Sequence, residues 1–131
     1  MENIIILLIG AIFSGVLATI VTLFINHKAE IKSRKKKLAA DIFGYRFLIN
    51  KPEQIGIFYA ALNQVQIIFS DDEEVMDAYE KLLENSLLID SKDRTRKMDE
   101  ALITFLKAIC KATGIDCKNW NDSKVMKVFG A

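Results

Sequence analysis

The sequence predicts an all-α chain in which one N-terminal transmembrane helix precedes a small cytosolic helical bundle. Three observations carry this. Ile4–Ile25 is an uncharged apolar run of 22 residues, a basic segment lies directly behind it, and apolar residues recur at helical intervals through the rest of the 131 residues. The implied division is an anchor over 1–27, a basic juxtamembrane collar over 28–37 and a cytosolic helical domain over 38–131.

At about 1.5 Å per residue the first run makes a helix about 33 Å long, enough for a hydrocarbon core of about 30 Å. A buried helix of a soluble protein is the alternative, but it needs a shell on every face, and the remaining chain is too short to supply one. A cleaved signal peptide would carry its positive charge ahead of the run; here Met1, Glu2 and Asn3 precede it and Asn26, His27 and Lys28 follow.

The collar holds six basic residues, Lys28, Lys32, Arg34, Lys35, Lys36 and Lys37, against the single acid Glu30. The positive-inside rule keeps such a flank in the cytoplasm, which puts the N-terminus outside and residues 38–131 inside. Contact with anionic lipid headgroups is the expected role of these six side chains. Recognition of one specific lipid or of nucleic acid is the sharper alternative; no aromatic residue is interleaved to stack on bases, so nucleic acid is not an expected partner. Removing the +5 of this segment and the −1 of Glu2 from the total charge of +1 leaves −3 for Leu38–Ala131.

Within the span, small residues recur at intervals of three and four: Gly10, Ser14, Ala18 and Thr22 on one line, Ala11, Gly15 and Thr19 on the next. Lipid offers helices no hydrophobic drive to associate, so they pair through close backbone approach and hydroxyl hydrogen bonds, and such a ribbon permits both. Small and hydroxyl residues also occur in spanning helices that stay single. If the ribbon is an interface, a ring of helices would turn Ser14, Thr19 and Thr22 inward as weakly polar pore lining. The span contains no Asp, Glu, Lys or Arg, which speaks against a proton relay or voltage sensor.

Beyond the collar, Leu38, Ile42, Tyr45 and Ile49 form a helical stripe to about Ile49. Asn50 ahead of Pro52 and Glu53 reads as an N-cap for a helix over about Lys51–Phe69 with Ile55, Phe58, Leu62, Val65 and Phe69 inward. Ser70 with Glu73 reads as a second capping box, and Asp71, Asp72, Glu73 and Glu74 suit a helix N-terminus better than a calcium loop. Val75, Met76, Tyr79, Leu82 and Leu83 supply that helix's apolar face. Glu84–Thr95 is the expected connection to a further helix carrying Met98, Leu102, Phe105, Leu106 and Ile109, with Gly114 as its C-cap. The tail Ile115–Ala131, with Trp120, Val125, Met126, Val128 and Phe129, either packs on the bundle or is a partner-binding peptide.

Little here suggests chemistry. The one histidine, His27, flanks the span, and no P-loop, GxSxG or HExxH is present. Cys110 and Cys117, seven apart and expected in a reducing cytoplasm, match no CxxC pattern and read as separate thiols. The chain is expected not to be an enzyme and to need no cofactor or metal.

The order of parts resembles a family of small bacterial single-pass proteins, also carried by phages and prophages, whose domain has no known function. The likeness rests on the glycine-containing span and basic collar, Arg46 six residues before Pro52-Glu53-Gln54-Ile55, and Ala61-Leu62-Asn63 with Phe69 following. Val75, the Ala78-Tyr79 pair and Ala112-Thr113-Gly114-Ile115-Asp116 continue it. Gln54 stands where that family usually has histidine, and Pro52 to Asn63 is about one helical turn longer. The resemblance implies the architecture and a bacterial inner-membrane location.

The function expected from these features is a membrane-anchored sensor that binds a cytosolic protein, such as an oligomeric phage protein, and permeabilises the membrane through self-association of its span, as an antiviral cell-death effector would. A multivalent ligand would concentrate the anchors without any new contact. The alternative is a passive tether or regulatory subunit that holds a partner at the membrane.

Overall fold

The computed structural model describes residues 2–87 and 94–129, and among them every regular element is helical. Helix α1 spans Glu2–Tyr45 and runs into a 3-10 helix, Arg46–Asn50; α2 (Ile55–Asn63), α3 (Val65–Ile68), α4 (Glu73–Ser86), α5 (Arg94–Thr113) and α6 (Asp122–Met126) follow. The chain divides into two compact units, Met1–Ser33 and Arg34–Ala131, with the division inside the predicted collar.

The first unit is helix alone. Every described residue up to Arg34 is exposed, including the whole apolar run. Of the described helices, this is the one long and apolar enough to cross a membrane.

The second unit is a bundle around one core. Its centre is the pair α4 and α5: Val75, Tyr79 and Leu82 recur at helical spacing on one, Leu102, Phe105, Leu106 and Ile109 on the other, and all seven are buried. The Tyr79 and Phe105 rings lie 6.3 Å apart, while Gln66 Nε2 donates to the Tyr79 hydroxyl at 3.0 Å, so the phenol is buried without losing a partner. Leu38, Ala39 and Ile42 of α1, Leu48, Phe58 and Ala61, Val65, Phe69 and Val125 close the core around them.

Several local expectations shift. The first stripe bends inward at Leu48 in place of Tyr45, because the chain tightens from α-helix to 3-10 helix at Arg46. Asn50 ends that 3-10 helix, and α2 starts at Ile55, after the Pro52 turn, with Gln54 at its N-cap position and no side-chain cap. The expected long helix breaks at Gln64 into α2 and α3, although Phe58, Val65 and Phe69 remain inward. The cap of α4 is Asp72, whose carboxylate accepts from Val75 N at 3.0 Å, whereas the Ser70 hydroxyl donates back to Ile67 O at 3.3 Å. Of the connection expected at Glu84–Thr95, α4 takes the residues to Ser86, and residues 88–93 lie outside the described ones.

The end of α5 follows expectation. Gly114 adopts φ +73°, a left-handed conformation that a side chain resists, and Ile115 N donates to Cys110 O at 3.0 Å, the six-to-one bond of a Schellman cap. The tail packs: α6, capped by Asn121 accepting from Lys124 N at 2.8 Å, buries Val125, and Trp120 meets Phe43 edge-on with centroids 6.0 Å apart. Phe129, in contrast, is fully exposed.

Candidate functional site

An α-helix turns about 100° per residue, so Gly10, Ser14, Ala18 and Thr22 drift slowly around α1 beside Ala11, Gly15 and Thr19, and the seven form one continuous face. Among the described residues nothing lies close to its two glycines: a Cβ built on Gly10 or Gly15 would meet no atom within 4 Å. The two glycines therefore have no intrachain packing reason. The Thr19 hydroxyl donates to Gly15 O at 2.9 Å, which satisfies its proton locally and leaves its oxygen to accept from outside.

The collar divides in use. Lys28 holds its ammonium 4.8 Å from the Phe24 ring centroid within the first unit. Lys32, Lys36 and Lys37 are exposed, as is Arg34. Lys35 departs from the expected lipid contact: its Nζ donates to both carboxylate oxygens of Asp71 at 2.8 and 2.9 Å and lies 5.6 Å from the Phe69 ring centroid. Only 15% of its side chain is exposed. The bend between α3 and α4 brings Asp71 to α1, and the hydrogen bond from Lys35 holds the Asp71 carboxyl below the usual carboxylate range.

The thiols are corrected. Cys110 and Cys117 are joined as a disulfide, with Cα atoms 6.4 Å apart. The Gly114 turn reverses the chain after α5 and returns Cys117 to the last turn of that helix, a folding-back that the spacing of seven does not announce.

A further cluster was missed by sequence reasoning. Arg46 lies in the 3-10 helix, donates from its guanidinium to Phe43 O and, at 2.9 Å, to Lys127 O, 81 residues away. It lines a cavity of about 470 Å³ together with Trp120, Lys124, Lys127, Val128 and Phe129. The only available signal was Arg46 beside an aromatic and basic tail, and nothing local joins the two. Among the described residues no group of three or more His, Cys, Asp and Glu is placed to hold a metal ion.

An exposed apolar helix of spanning length followed by a small α-bundle defines the class: a helical protein with one candidate membrane span. The comparisons place it more closely. Residues 1–125 match a family described as a family of unknown function, DUF6680, and the chain belongs to that family. No curated protein and no solved structure matches it.

Proposed function

We propose that the chain is a membrane-anchored sensor and effector. Its bundle lies in the cytoplasm of a bacterial cell and binds a protein there, with an oligomeric phage protein as the expected kind of ligand. Its span, N-terminus outside, then self-associates through Gly10, Ala11, Ser14, Gly15, Ala18, Thr19 and Thr22 and permeabilises the inner membrane. Lys28, Lys32, Arg34, Lys36 and Lys37 meet anionic lipid in this reading, while Lys35 serves the bundle.

The observation that carries it is the unpartnered ribbon: a small-residue face with open space at both glycines, on a helix whose every described residue in the first unit is exposed. Open space also makes the test clean, since a Cβ added at Gly10 or Gly15 meets no atom of the described residues within 4 Å. Cells expressing the chain, uninfected and during phage challenge, are assayed for entry of a small dye. Entry on challenge is expected with the native span and its loss when Gly10, Ala11, Ser14 and Gly15 are all replaced by leucine.

One observation favours the second reading, a passive tether or regulatory subunit. The Thr19 hydroxyl already donates within its own helix, so it brings no proton to a neighbour. A membrane that stays tight under every condition, with a span replaceable by an unrelated one, decides for the tether.

A further inference from the structure

The Arg46 cavity combines three features that together specify a ligand. Its charged lining is all of one sign: Arg46, Lys124 and Lys127 contribute cations, and no acidic residue among the described ones lines it. Neither lysine ammonium has a carboxylate partner among the described residues; Lys124 rests 5.6 Å from the Trp120 ring centroid, and Lys127 is exposed. The rest of the lining is apolar and largely aromatic, from Trp120, Val128 and the fully exposed Phe129.

Arg46 adds a donor that the protein leaves unused. Its terminal nitrogens bind Phe43 O and Lys127 O, but Nε is buried with no hydrogen-bond partner. A buried unpaired donor is costly, and because Nε is closed to solvent an incoming oxyanion would meet the second N–H on each terminal nitrogen of the guanidinium. Burial also pushes the Arg46 guanidinium below its usual pKa, the desolvation that an arriving anion would offset. The cavity's volume falls in the usual range for small-molecule sites, about 300–1,000 Å³.

We propose that this cavity binds a small organic anion bearing a planar ring, the chemistry of a nucleoside phosphate, with Arg46, Lys124 and Lys127 on the phosphate and Trp120 and Phe129 against the base. A bare phosphate would leave the aromatic walls wet, and a neutral ring would leave three cations unneutralised; a nucleotide satisfies both. The site goes beyond the proposed function and stands whether or not the span self-associates.

The test uses the full chain in lipid nanodiscs and its single tryptophan, Trp120, which lies in the site and reports on it alone. Emission excited at the red edge is titrated with the four ribonucleoside monophosphates, with adenosine, with inorganic phosphate and with a short-chain phosphatidic acid. At least one nucleotide is expected to give a saturable change, with adenosine, phosphate and the lipid each at least tenfold weaker. Lys124→Gln with Lys127→Gln is expected to weaken the nucleotide at least tenfold, with helical circular dichroism unchanged, since neither side chain is buried. The proposal is overturned if no nucleotide binds, if adenosine, phosphate or the lipid matches it, or if the folded double variant binds as tightly as the native chain.

Discussion

Residues 2–33 and residues 34–129 share an apolar, helical composition and dispose of it in opposite ways. In the first unit Ile4–Ile25 carries no charge and leaves every side chain exposed; in the second, apolar residues at three- and four-residue spacing turn inward until Ile42, Phe69, Phe105 and Ile109 lose all contact with solvent. One unit buries its apolar residues around a core of its own, and the other leaves an apolar surface long enough to cross a membrane. The apolar helix and the bundle therefore respond differently to the same substitution.

The largest expected difference follows directly. Phe105→Ala, at the centre of the α4 and α5 interface, should lower the bundle's unfolding free energy by about 3–5 kcal/mol, whereas Phe13→Ala on the exposed span should leave the bundle's denaturation midpoint unchanged. Denaturant titration of both variants, followed by Trp120 emission, measures the contrast. A Phe13→Ala destabilisation comparable with that of Phe105→Ala would break it, because the span would then be part of the bundle's core.

A middle-sized effect bears on where the bundle resides. In the chain-entropy account, closing the short Cys110–Cys117 loop is worth about 2.5 kcal/mol, so reduction of the purified chain should lower its stability by about that much. A bundle in the reducing cytoplasm should present both thiols to an alkylating agent without prior reduction. Protection of both in intact cells until reductant is added would reverse the proposed orientation and put residues 34–131 on the oxidising side.

The same comparison explains how much could be read from the sequence. The long apolar helix α1, the inward faces of α4 and α5 and the Gly114 cap were all legible, because each depends on composition or on a period within one helix. The α4 cap was misplaced because Ser70, Asp71 and Asp72 are three successive residues able to cap; which one does so depends on where the turn after Phe69 ends. The α2–α3 break at Gln64 carries no glycine or proline to announce it. The Arg46 cavity and the disulfide were illegible for a different reason: both are made by chain reversal, one across 81 residues and one around Gly114. The small-residue ribbon of α1 was thus visible position by position, and the cavity only from the folded chain.

The smallest effect lies where the two units meet in sequence. Lys35 is the second residue of the bundle unit and a collar cation held on Asp71, whose own side chain is 67% exposed. Exposure on the carboxylate side keeps the pair weak, so Asp71→Asn should cost less than about 1 kcal/mol at neutral pH and less still at high salt. The Asp71 pKa is lowered in the folded state, chiefly by the hydrogen bond from Lys35, so the pair's contribution is present above the ordinary value of 3.8 and is lost as the pH falls through the lower, folded value. Unfolding free energies of the native chain and Asp71→Asn should therefore differ at pH 7 and converge in strong acid. A difference that persists at high salt and low pH would mean that Asp71 acts through packing at the α3–α4 bend, and that Lys35 is held in the bundle by its stem against Phe69 and not by its charge.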